Sequence, residues 1–148
     1  MEVVLFEPEI PANAGNVART CVATGSKLTL IEPLGFFLSN RMLKRSGLDY
    51  WDKLDYQTKP DLESYLTAQK RPVYFFSSKA TKSYTEIPFS DDDIYVFGSE
   101  TKGLPPYLFD NYSERFYTLF QKKAVRCLNL SNTVAIVLYE SWKHRDFC

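Results

Sequence analysis

The chain has 148 residues, 45% of them hydrophobic and 16% aromatic, which suits one domain with a real core and excludes a disordered chain. Eighteen basic residues balance eighteen acidic ones, so net charge supplies no general attraction to nucleic acid, and an RNA partner needs a local basic patch. Cys21, Cys127 and Cys148 are odd in number and widely spaced, with neither a zinc spacing nor a disulfide framework, so no metal and a reducing cytoplasm are expected.

The start, MEVVLFEPEIP, lacks the basic head and long apolar stretch of a signal peptide. Val3 to Phe6 is a compact apolar run ended by EPEIP, a first strand. From Asn13 to about Thr24 the pattern predicts a helix, with Asn13 as N-cap and Gly25 as its stop. Leu28 to Ile31 is a second strand, closed by Pro33 and Gly35; SNRMLKRSG reads as a short basic helix and YWDKLDYQ as a candidate strand. After Pro60, DLESYLTAQ is amphipathic, with Leu62, Tyr65 and Leu66 on one face. VYFF (Val73 to Phe76) and IYVF (Ile94 to Phe97) are continuous apolar runs of the kind found in parallel strands covered on both sides. RFYTLF is a further strand, and Ser131 to Lys143 a final helix. The alternation predicts an α/β fold over residues 1–148 as a single domain, a mostly parallel sheet flanked by helices.

The longest uninterrupted apolar run, Val134 to Tyr139, falls far short of the ~20 residues that cross a bilayer, so no membrane partner is expected. On a helix it covers the whole circumference, which calls for burial all round. The sheet can cover one side and a second subunit the other; a covering loop is the alternative. His144, the only histidine, lies in the polar tail KHRDFC, which lowers the case for a histidine-based hydrolase.

Three polar clusters carry the chemistry. In NAGNVART, Asn16 and Arg19 fall one helical turn apart, and an arginine there can grip a phosphate at two points. FGSETKGLP directly follows a buried strand, where parallel α/β folds place ligands. Gly98 permits close approach to the backbone and Gly103 a left-handed turn. Leu104-Pro105 replaces the Lys-Ser/Thr of a phosphate loop, so a nucleotide triphosphate site is not expected. RCLNLSN precedes the final helix, which Asn129 or Ser131 can cap. Cys127 as a nucleophile lacks a nearby base.

In this order and separation the clusters resemble the three motifs of the SpoU-like branch of the SPOUT RNA methyltransferases: NAGNVART motif 1, FGSETKGLP motif 2, CLNLSNTVAIVLYE motif 3. LFEPEIPANAGN, IEPLGF and RSGLDYW are similar to its small single-domain group, which methylates the ribose 2'-hydroxyl of the wobble nucleotide, position 34, in certain leucine tRNAs. The resemblance runs from about Val3 to Trp142 and implies a homodimer whose C-terminal part forms a trefoil knot. It implies S-adenosylmethionine as cofactor, contacted by Phe76, Gly98, Glu100, Leu119, Cys127 and Leu128, largely through main chain. The tRNA anticodon stem-loop is the implied partner.

The resemblance gives the central catalytic part to Arg19, with Asn13, Glu100 and Asn129 bracing the arginine, the motif 2 loop and the cofactor. A guanidinium is too basic to act as a general base. Arg19 is therefore expected to position the ribose and its adjacent phosphate, which assists proton removal. Ala14 and Cys127 stand where the group usually has threonine and serine. Candidate RNA contacts are Arg41, Lys44, Arg45, Lys102, Lys122, Lys123 and Arg126. The motifs read cofactor and ribose but not the base, leaving open another tRNA or rRNA position, or a non-catalytic knotted RNA-binding protein.

Overall fold

Alternating side chains bury both faces of a central sheet in this computed structural model, which describes residues 1–38, 50–122 and 127–148. Its strands are β1 (Glu2–Phe6), β2 (Lys27–Ile31), β3 (Tyr56–Lys59), β4 (Val73–Phe76), β5 (Lys82–Ser83), β6 (Ile94–Phe97) and β7 (Phe116–Thr118). They lie in the order β3-β2-β1-β6-β4-β7-β5, each pairing parallel. The helices are α1 (Pro11–Thr24), α2 (Leu62–Thr67), α3 (Pro106–Tyr112) and α4 (Leu130–Lys143).

Val3, Leu5, Leu28, Leu30, Tyr95 and Phe97 meet Val17 and Cys21 of α1 and Val134, Val137 and Leu138 of α4 on one face. Val4, Phe75, Ile94 and Val96 meet Leu62, Tyr65 and Leu66 of α2 and Leu108 of α3 on the other. The two-residue period of a strand sorts neighbouring side chains between these layers, which is why the central strands read as unbroken apolar runs. The outward side of α4 leaves Ile136 and Tyr139 exposed.

The predicted elements hold, with corrections at their ends. Asn13 is not the N-cap of α1: the helix begins at Pro11 with Ile10 as cap, since proline at the first helical position gives up an N–H that has no partner there anyway. Gly25 ends the helix at φ 63°, as expected. YWDKLDYQ divides into a 3-10 turn (Trp51–Lys53) and the start of β3. β5, two residues long, and α3, entered through Pro105-Pro106, carry no periodic apolar signal and were not anticipated. The predicted basic helix SNRMLKRSG lies outside the described residues.

At the amino ends of the strands, Glu2 is almost fully buried. Its Oε1 accepts from the hydroxyls of Thr29 (2.6 Å) and Tyr65 (2.7 Å), and Oε2 pairs with the partly exposed guanidinium of Arg71. Burial by itself would raise the carboxyl's pKa, but the three donors outweigh it and hold it below the ordinary 4.5. A depressed carboxyl contributes stability that is present above its unfolded value and lost as pH falls through its folded one. Glu2→Gln turns an amide toward Arg71 and is expected to cost about 2 kcal/mol at neutral pH. Urea titrations should show this gap narrowing below about pH 4.5 as the wild-type carboxyl protonates.

Candidate active site

The carboxyl ends of β1 and β6 lie side by side, so the segments leaving them meet. Helix α1 has no side-chain cap of its own, and its first N–H groups need acceptors. Glu100, from the segment after β6, supplies one at the N-cap residue and also holds the residue before it: Oε1 accepts from Ile10 N (3.1 Å) and Asn13 Nδ2 (3.0 Å), and Oε2 from Glu9 N (2.9 Å). A carboxylate here also faces the positive end of the helix dipole. Glu9 returns the contact, accepting from Thr101 N (2.9 Å) and Thr101 Oγ1 (2.7 Å).

The network continues to the last helix. Asn13 Oδ1 accepts from Asn129 Nδ2 (2.9 Å), while Asn129 Oδ1 accepts from Ser131 N (2.9 Å) and Ser131 Oγ (2.6 Å), capping α4. Asn13 is buried, and with both sides of its amide bonded it joins the three motif segments. Sequence reasoning singled out Asn13, Glu100 and Asn129 but missed Glu9 and Thr101, whose contacts span 92 positions and leave no local signal.

Gly98 lets the motif 2 segment fold back on itself. A Cβ there would lie 2.2 Å from Gly103 C and 2.4 Å from Leu104 N. Gly103 takes φ 71° and donates its N–H to Ser99 O at 3.0 Å. The side of Gly98 where a side chain would stand is therefore filled by the segment's own backbone. Gly98→Ala meets atoms that no rotamer change can move aside and is expected to destabilise by about 2 kcal/mol. It should also weaken cofactor binding; wild-type melting and cofactor titration would contradict both.

Arg19 lies outside the Glu100–Asn13–Asn129 chain. It is exposed, with its guanidinium 5.1 Å from the centre of the Tyr50 ring, a cation–π geometry. The Tyr50 hydroxyl donates to Gly15 O (2.9 Å), which ties the ring to α1 one turn below Arg19. The polar trio thus braces the segments, and Tyr50 supports the arginine. Tyr50 stood in RSGLDYW with nothing local to mark that task.

The other predicted positions gather along one stretch of sheet. Phe76 ends β4, Gly98 follows β6 and Leu119 follows β7, and these strands are neighbours in the order β6-β4-β7. At ~4.8 Å per strand the three ends span ~10 Å. The Phe76 ring is buried and stacks on Phe97 with centroids 4.6 Å apart. Cys127 is exposed and Leu128 is 36% exposed, just before Asn129. Cys21 is buried, which pushes its thiol up to about 12 and makes it inert. Of the candidate RNA contacts, Lys102 and Lys122 are exposed; Arg41, Lys44, Arg45, Lys123 and Arg126 lie outside the described residues.

The profile of the SpoU rRNA Methylase family matches residues 1–139. The chain belongs to the SpoU methylase family. A relative from Methylovorus glucosotrophus, named tRNA (cytidine(34)-2'-O)-methyltransferase, is 40% identical, the match covering 99% of this chain and 96% of that protein. A solved structure described as "Structural insights into the 2-OH methylation of C/U34 on tRNA" superposes with TM-score 0.89 at 38% identity, covering 99% of this chain and 97% of that one. The SpoU methyltransferase AviRb from Streptomyces viridochromogenes, solved with AdoMet, has TM-score 0.83 over 99% of this chain and 58% of its own. At 16% identity it bears on the fold alone. The SpoU fold expected from the motifs is thus the one observed: helices on both faces of a parallel sheet, with the three motif segments meeting at one end. No helix among the described residues is long and apolar enough to cross a membrane.

Proposed function

We propose that this SpoU-family chain is a tRNA 2'-O-methyltransferase that transfers a methyl group from S-adenosylmethionine to the ribose of the wobble nucleotide, position 34, of tRNA. The observation that carries this reading is the hydrogen-bonded union of motifs 1, 2 and 3 through Glu100, Asn13 and Asn129. Full-length relatives bearing that activity in their names support it. The strand ends fit the cofactor chemically. The main chain at Phe76 and Gly98 offers amide and carbonyl groups, and Leu119 and Leu128 offer the apolar surface that a flat purine needs.

S-adenosylmethionine, when bound, supplies a methyl group on an activated sulfonium, so the protein's own task is mainly orientation. In this reading Arg19 grips the phosphate next to the target ribose, and that phosphate assists removal of the 2'-hydroxyl proton. Asn13, Glu100 and Asn129 hold the motif segments in register, with Glu100 acting by position since its oxygens already serve Glu9, Ile10 and Asn13. Cys127 and Leu128 contribute main chain to the pocket wall, so cysteine in place of serine is a mild change.

The same reading includes a knotted C-terminal region, a cytoplasmic location and a homodimer built on the exposed side of α4, where Ile136 and Tyr139 stand in water. The substrate segment is the anticodon stem-loop. The test is transfer of labelled methyl from S-adenosylmethionine into total tRNA, followed by mapping of the product nucleotide. Label on the 2'-oxygen of position 34, with leucine tRNAs foremost, is expected. Transfer elsewhere would reassign the substrate, and cofactor binding without transfer to any RNA would favour a non-catalytic RNA-binding protein.

A further inference from the structure

We propose that Phe37 is a stacking platform for a base of the substrate RNA beside the target nucleotide; this rests on the RNA-methyltransferase reading. Phe37 is 84% exposed. A ring stabilises a fold by leaving water, so Phe37 in this exposed position gives little to it. The neighbouring side chains behave differently. Leu34 and Leu38 pack against the core, and Phe36 is half-buried.

The segment is also fixed in place. Gly35 donates its N–H to Pro8 O at 2.9 Å, and a Cβ at Gly35 would lie 2.7 Å from Glu9 Cα. The same Glu9 is clasped to Glu100 and Thr101. The ring is thus anchored through two residues to the site, on a segment that leaves β2 directly beside β1.

The chemistry favours a nucleobase. Loop nucleotides of RNA are recognised with their bases unstacked and laid on aromatic side chains, and every base has a π-face.

The experiment compares wild type with Phe37→Ala, Phe37→Leu and Phe37→Trp, using a tRNA anticodon-arm RNA, for KM, kcat, cofactor affinity and direct binding by filter retention. Alanine should raise KM and the RNA dissociation constant about tenfold, the lower end of base stacking on an aromatic. Its kcat and cofactor affinity should stay within about twofold of wild type. Tryptophan should restore binding, and leucine, of similar bulk without a π-face, should not. Unchanged RNA binding by the alanine variant overturns the proposal, as does rescue by leucine equal to that by tryptophan. So does an alanine effect that instead changes gel-filtration mass, which would make Phe37 a contact between copies. Were wild type to bind RNA without methylating it, the enzymatic reading would fail while the binding comparison still decided the stack.

Discussion

Arg19→Ala is expected to lower methyl transfer to tRNA by about a thousandfold, the scale of losing a positioned charge at a reacting centre, while S-adenosylmethionine affinity changes by less than about twofold. The separation follows from the geometry. Arg19 is exposed and rests on Tyr50, apart from the Glu100–Asn13–Asn129 chain that joins the motif segments. Its removal also costs the fold little, at most about 1 kcal/mol for an exposed cation–π pair, so lost activity will not reflect unfolding. Arg19→Lys should remain at least about tenfold impaired, because an ammonium cannot hold a phosphate in two-point geometry. Single-turnover transfer at saturating cofactor, with calorimetric cofactor titration, separates the outcomes. Weakened cofactor binding with full transfer at high cofactor would move Arg19 from the ribose side to the cofactor side.

Glu100→Ala should have the largest effect on stability among the site residues, about 2–3 kcal/mol by urea denaturation. The carboxylate accepts from Glu9 N, Ile10 N and Asn13 Nδ2, and alanine leaves a helix start and a buried amide without those acceptors. Water reaches the exposed Ile10, which keeps the loss below the sum of three charged hydrogen bonds. Glu100→Gln retains one acceptor oxygen and should fall between alanine and wild type. Cofactor affinity should weaken in the same order, because the 98–105 segment loses its tie to α1. A variant as stable as wild type but defective in binding would instead give Glu100 direct contact with the cofactor.

Both variants show how the site divides between what one chain position can announce and what only folding assembles. The core was legible: IYVF and VYFF are apolar at each position because central parallel strands are covered on both faces. Leu62, Tyr65 and Leu66 mark the inner side of α2 by helical period, and Gly25 marks a left-handed helix end. The three polar clusters, through their resemblance to SpoU motifs, pointed to Asn13, Arg19, Gly98, Glu100 and Asn129. Their mutual arrangement was not legible. Glu100 holds the backbone of Glu9 across 91 positions, Asn129 meets Asn13 across 116 positions, and Arg19 rests on a tyrosine from another segment.

Periodicity, turn residues and caps are local signals, written wherever a segment must match its own backbone and its exposure. Those signals determined the strands, the main helices and the polar clusters of this protein. The pairing of Glu9 with Thr101 was decided by the parallel sheet, which brings the carboxyl ends of β1 and β6 together. A hydrogen bond between residues far apart in the chain depends on where the core puts two backbones, and neither residue's own neighbours encode that position.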